Sequence, residues 1–216
     1  MVPDDPLSPD GPLVEEHTSP TVTAPGRTEA VAGAVLMGLS IVAGVVVRVH
    51  PGPNAVDRRG FAVLATSTDS TILHRITDLG TPLALVVATL LAAAVVVRFD
   101  RWRAAACIAG PVVTAVLVEY VFKPLVARRY LGVLSYPSGN VADVAAVMTA
   151  WALAVPGWIR PAVVVLGAVV VGLMIVAVIG LRWHYPTDAL AGAVLGVGTV
   201  LTVDGLAHLR AGARLR

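Results

Sequence analysis

The chain reads as an all-α fold, a polytopic membrane bundle of about six transmembrane helices. Hydrophobic residues make up 56% of it and charged residues 14%, far from the shares of an ordinary soluble domain. The apolar residues fall in blocks close to the length that crosses a bilayer, about 20 residues. Alanine, valine, leucine and glycine dominate those blocks, and small side chains let membrane helices approach closely.

Residues Met1 to Thr28 form a leader carrying Pro3, Pro6, Pro9, Pro12, Pro20 and Pro25 among acidic and hydroxyl residues. That composition buries no core and predicts disorder on the cytoplasmic side. A solvated tail explains it better than a binding motif. The leader is acidic and proline-rich rather than short and basic, so the first apolar block is expected to be a retained helix rather than a signal peptide. The blocks run from Ala30 to Val49, Thr81 to Phe99, Ala104 to Phe122, Val141 to Val155, Ala162 to Leu181 and Ala189 to His208. The fourth is short and contains Asp143. The expected bundle spans residues 29–209, and residues 210–216 form a short basic tail.

Six crossings put both termini on one side. Arg98, Arg101, Arg103, Arg160, Arg210, Arg214 and Arg216 are then cytoplasmic, as the positive-inside bias asks. The opposite side holds Arg58, Arg59, Arg75, Lys123, Arg128, Arg129 and Arg182; the last four are cations that an anionic substrate would explain. Cys107 is the single cysteine, so no disulfide or metal framework follows. No basic stretch interleaves with aromatics, which leaves nucleic-acid binding unsupported. There is no internal repeat, and no residue pattern sets the oligomeric state. Trp102, Trp158 and Trp183 mark expected membrane interfaces, and Trp151 is expected to pack inside the bundle.

The chemistry collects at three helix junctions on the outer side. One is Lys123-Pro124-Leu125-Val126-Ala127-Arg128-Arg129; the second is Tyr136-Pro137-Ser138-Gly139-Asn140; the third is Arg182-Trp183-His184-Tyr185-Pro186-Thr187-Asp188. A helix N-terminus offers free N–H groups and a positive dipole end, a natural anion cradle. Gly139 allows close backbone approach and Ser138 adds a hydroxyl donor. Lys123, Arg128, Arg129 and Arg182 supply charge for a phosphate-sized pocket. A neutral His184 can attack phosphorus if an acceptor fixes its other nitrogen, and Asp188, four residues on, is the expected acceptor. The bland alternative is an interfacial His-Tyr pair beside an aspartate that caps a helix.

Together these motifs resemble the type 2 phosphatidic acid phosphatase superfamily, membrane lipid phosphatases related in site architecture to vanadium haloperoxidases. Its pattern is a lysine followed by arginine-proline, then P-S-G-H, then S-R-x-x-x-x-x-H-x-x-x-D, and the resemblance covers roughly Ile76 to Gly205. It implies dephosphorylation of a lipid phosphate through a phosphohistidine, with no metal and no cofactor. His184 would be the nucleophile, Asp188 its orienting partner and Lys123 a phosphate ligand, with Ser138 and Gly139 supplying donors.

The chain departs from that pattern in three places. Asn140 replaces the histidine expected to protonate the leaving alcohol, a role no amide can fill; general acid catalysis typically contributes about 10² to 10⁴ in rate. The arginine ahead of His184 is missing, with Ala177 read in its place, and Arg182 is the available substitute. In the first motif the usual arginine falls on Tyr130, so either Arg128 or Arg129 would contact phosphate. Asp143, three residues after Asn140 and on the same helix face, is a candidate acid; pairing for structure is the commoner fate of such a residue. Glu119 is expected to pair with Lys123 or a nearby arginine. His50, Asp57, Asp69 and His74 read as solvated loop residues, and Asp204 and His208 lie toward the opposite membrane face. Two functions stay open: a lipid phosphate phosphatase of full or reduced activity, its lipid substrate drawn from the membrane, or an inactive relative that binds an anion or lipid headgroup.

Overall fold

A computed structural model describes residues 26–64 and 69–213. The sequence blocks become α1 (Arg27–Val49), α4 (Pro82–Val96), α5 (Arg101–Val116), α7 (Gly139–Ala154), α8 (Arg160–Gly180) and α9 (Pro186–Ala213). Two short helices precede α4, namely α2 (Ala55–Leu64) and α3 (Ser70–Thr77). After α5 the helix runs on through a π-helical segment, Leu117–Phe122, into the short α6 (Lys123–Val126). A two-stranded antiparallel hairpin, β1 (Arg129–Tyr130) and β2 (Val133–Leu134), leads into α7. The expected disorder of residues 1–25 and the last residues of the basic tail, 214–216, lie outside the described residues. Arg27 and Thr28, assigned above to the leader, are already helical, and α9 continues through 210–213.

Four helices among the described residues are long and apolar enough to span a membrane: Arg27–Val49, Arg101–Val126, Arg160–Gly180 and Pro186–Ala213. The segment from Ser70 to Val96 meets the same criteria only as a pair bent by 48° between Gly80 and Pro82. Pro82 explains the restart, because its fixed φ suits a first helical position. With sixteen residues, α7 is shorter than a full span, as expected of the block that carries Asp143. Each of the six expected blocks is therefore helical, but two are not simple full-length spans.

The central helix is α9, which packs on α1, α5 and α7. Ala92, Ala93, Cys107, Ala146, Ala150 and Val200 form one buried core where α4, α5, α7 and α9 meet. The contact of α7 with α9 depends on glycine: a Cβ on Gly192 would lie 2.5 Å from the Ser138 carbonyl oxygen. Trp151 packs against the core and Trp158 is 83% exposed.

The two ends of the bundle differ in chemistry. At the end where α1 begins, Gly26 lies against Gly205 of α9. There Asp100, Arg103, Asp204 and His208 interlock: Arg103 reaches Asp204 at 3.3 Å, and His208 Nε2 lies 2.8 Å from Asp100. The three junctions singled out in the sequence all sit at the opposite end.

Candidate active site

Backbone contacts first bring the junctions together. The Ser138 N–H donates to the Asp188 carbonyl at 2.9 Å, joining the start of α7 to the start of α9. The loop 181–185 between α8 and α9 carries His184, and within it Arg182 has φ 58°, a left-handed conformation unusual for a residue with a Cβ. The His184 Nδ1 lies 2.9 Å from the Ser135 carbonyl. A carbonyl only accepts, so Nδ1 carries the hydrogen and Nε2 keeps its lone pair. Burial lowers the His184 pKa to about 4; the Ser135 carbonyl opposes that shift and the Lys123 charge adds to it. The imidazole is therefore neutral at physiological pH.

His184 opens on a cavity of about 360 Å³ that it lines with Lys123, Tyr130, Leu134, Arg182 and Trp183. Lys123 is held by an ion pair with Glu119, one turn earlier in the π-helical segment. That segment widens the helix directly ahead of Lys123. Gly139 sits over the pair: a Cβ there would be 3.2 Å from Glu119 Oε1 and 3.9 Å from Lys123 Nζ. Ser138 is fully buried at the N-cap of α7, and its hydroxyl has no hydrogen-bond partner among the described residues.

The structure places the remaining expected site residues elsewhere. Asp188 does not contact His184. One of its oxygens takes Arg128 Nη1 at 2.6 Å and the other accepts the Tyr185 N–H at 3.3 Å, so the histidine is oriented by the Ser135 carbonyl instead. The spacing puts Asp188 in the first turn of α9, but there its side chain points into the bundle and is fully buried. Arg128 is likewise no open phosphate ligand. It is 1% exposed, with its guanidinium shared among Asp57 at 2.7 Å, Asp188, Thr187 and the carbonyls of Pro51 and Gly52. Arg129 is exposed and closes its own hairpin on the Gly132 carbonyl at 2.8 Å. Asn140 and Asp143 border a second cavity, of about 520 Å³, lined by Leu85, Val86, Leu90, Ile108, Val112 and Val147 among others. Asp143 Oδ1 is buried there without a partner among the described residues. Counted strictly, Ala177 falls on the serine of the S-R pair and Val178 on the arginine; both are fully buried in α8.

Asp57, read as a solvated loop residue, is the main omission. It is fully buried and accepts from Arg128 and from the Thr187 N–H and hydroxyl, at 3.0 and 2.7 Å. Burial pushes its pKa up, but the Thr187 N–H, Arg128, the Thr187 hydroxyl and the Asn54 N–H outweigh that and hold it below the ordinary carboxylate value. Asn54 Oδ1 accepts from the Asp57 N–H while Asp57 accepts from the Asn54 N–H. This reciprocal capping box was present in the sequence as N-x-x-D and marks the start of α2. Among the described residues, no group of three or more His, Cys, Asp or Glu gathers as metal ligands would.

The fold as a whole is found in a known structure. The chain superposes on a crystal structure described as the first transmembrane PAP2-type phosphatidylglycerolphosphate phosphatase from Bacillus subtilis, with TM-score 0.66 and 18% identity. The match covers 81% of this chain and 94% of that one. The two chains share one fold. No family model matches the chain, and no curated protein matches it either. The fold agrees with the resemblance carried by the sequence motifs.

Proposed function

We propose that the chain is an integral membrane lipid phosphate phosphatase that works through a phosphohistidine on His184. The observation that carries this is the state of that side chain: a neutral imidazole, its Nδ1–H tied to the Ser135 carbonyl, lining a cavity with Lys123 and Arg182. Nε2 attacks phosphorus, the N–P bond forms and the P–O bond to the lipid breaks. The electron pair leaves on the lipid oxygen, which needs a proton. Lys123 and Arg182 offset the phosphoryl charge, and the start of α7 at Ser138 and Gly139 supplies donors. Water then attacks the phosphohistidine, releases inorganic phosphate and restores the imidazole. No cofactor or metal takes part in this scheme.

The leaving oxygen belongs to the lipid, so its proton donor is best placed toward the hydrocarbon. Asp143 meets that condition, bordering the apolar cavity between α4, α5 and α7 beside Asn140. That cavity suits an acyl or isoprenoid chain, and the substrate is a phosphomonoester or diphosphate of either kind. The site lies at the end of the bundle opposite the start of α1. Together with the positive-inside bias, this favours an extracytoplasmic active site in the cell membrane.

A second reading is an inactive relative that binds an anion or lipid headgroup. It is favoured by Asn140, by the apolar residues at 177 and 178, and by the enclosure of Arg128 between two carboxylates. Phosphate release by the detergent-purified chain, over lipid monophosphates and diphosphates with chelator present, separates the two. Release that His184→Ala abolishes supports the phosphatase. Silence from the native chain, with phosphate still bound, supports the second reading.

A further inference from the structure

The chain lacks the arginines of its motif pattern, and Arg128 is enclosed. Among the described residues, Arg182 is therefore the one arginine that lines the His184 cavity, and what holds it is α2. The Arg182 Cζ stands 4.4 Å from the centre of the Phe61 ring, within the range of a cation–π contact. Phe61 is itself stacked on Tyr130 at 5.9 Å and tilted on Tyr185 at 5.8 Å, while those two tyrosines meet at 4.5 Å. Tyr185 in turn covers Arg128, 3.9 Å from its Cζ.

Two features of α2 fix that platform. Asp57 is one turn before Phe61, hence on the same helix face, and it is locked to Arg128 and to Thr187 of α9. Gly60 lets α2 press on the first residue of α9: a Cβ there would lie 2.6 Å from Pro186 Cγ. Asp57 is thus the anchor and Phe61 the arm.

We propose that Phe61 of α2 is a positioning residue that holds the Arg182 guanidinium at the His184 cavity, making Arg182 the arginine that gathers phosphate in this chain. This rests on the phosphatase reading only for the identity of the ligand, a phosphate monoester headgroup.

The test uses the full chain in detergent with inorganic phosphate as the probe, its affinity measured by calorimetry, alongside kcat and KM on a lipid monophosphate. Arg182→Ala is expected to weaken phosphate by about tenfold, the scale of one exposed charged contact. Phe61→Leu, which keeps apolar volume but removes the ring face, is expected to weaken it by about threefold to tenfold, raising KM with little change in kcat. Phe61→Tyr restores the native affinity. The Phe61→Leu, Arg182→Ala double variant binds no worse than Arg182→Ala alone, since both act through one guanidinium.

Native affinity in Phe61→Leu, additive losses in the double variant, or no phosphate binding by the native chain would each overturn the proposal. The two readings fail separately. Coupled binding losses without turnover leave Phe61 its role and remove the phosphatase; turnover abolished by His184→Ala but unmoved by Phe61→Leu and Arg182→Ala does the reverse.

Discussion

Removing the Asp57 carboxylate should loosen the whole active end of the bundle. In Asp57→Ala, the half-buried Thr187 N–H and hydroxyl and one edge of the buried Arg128 guanidinium lose a fully buried acceptor. Each stranded donor costs about 1–3 kcal/mol. Arg128 keeps Asp188 at 2.6 Å, so no charge is left uncompensated, and the loss stays near the lower end of that sum, about 3 kcal/mol. Arg128→Met is expected to be worse, about 4 kcal/mol or more, because it leaves two buried carboxylates with no cation between them. For a chain of this size about 3 kcal/mol corresponds to a fall in Tm of roughly 6–12 °C. Cys107, the single cysteine, is 1% exposed, so a thiol-reactive dye reads unfolding in detergent directly. The sign with pH follows from the direction of the shift. The folded pKa of Asp57 lies below its ordinary value, so its contribution is present above about pH 4 and is lost as pH falls through the folded value. Asp57→Asn should flatten that acid limb. A Tm within about 1 °C of native for Asp57→Ala, which corresponds to well under 1 kcal/mol, would refute this account of the network.

Four further outcomes are expected. With the His184 pKa lowered to about 4, the acid limb of kcat/KM should fall near that pH, not near 6.5, since this profile reports the free enzyme; a midpoint near 6.5 would contradict the burial assigned to the ring. Asp143→Asn should lower kcat by about 10² or more with little change in KM, as loss of a general acid does, and unchanged kcat would remove Asp143 from the reaction. Asn140→His should raise kcat by about tenfold or more, part of the contribution of a restored acid; a neutral effect would mean that the imidazole, placed beside Gly80, does not reach the leaving oxygen. At the far end, Asp204→Ala strips Arg103 and His208 of a fully buried partner and should cost about 3–5 kcal/mol while leaving kcat/KM unaltered, measured by dye unfolding and turnover side by side.

The apolar blocks were legible because length and composition alone decide them: α1, α8 and α9 each begin within three residues of the expected start. Two of the three junctions were legible too, since Pro137 stands just ahead of α7 and Pro186 opens α9, where the fixed φ of proline suits a helix start. What the sequence hid was pairing. Asp57 looks like any loop carboxylate, and only the arrival of Arg128, 71 residues away, makes it buried. The same guanidinium also pairs with Asp188, so the carboxylate four residues after His184 faces Arg128 in this structure, since a buried guanidinium draws carboxylates more strongly than a neutral imidazole does. Lys123 and His184 do line one cavity, but no local pattern shows that Asn140 and Asp143, one turn along α7, border another. The acceptor for His184 is a backbone carbonyl, which every residue carries and no motif can reveal.

The most direct test of the central claim is to trap the phosphorylated protein. The chain is mixed with a lipid monophosphate carrying radiolabelled phosphate, quenched in alkali, and the label located by peptide mapping. A phosphohistidine survives alkali and is lost in acid, so the account predicts alkali-stable, acid-labile label on the peptide containing His184, absent from His184→Ala. Phosphate release without such label, or label that persists in His184→Ala, would contradict it.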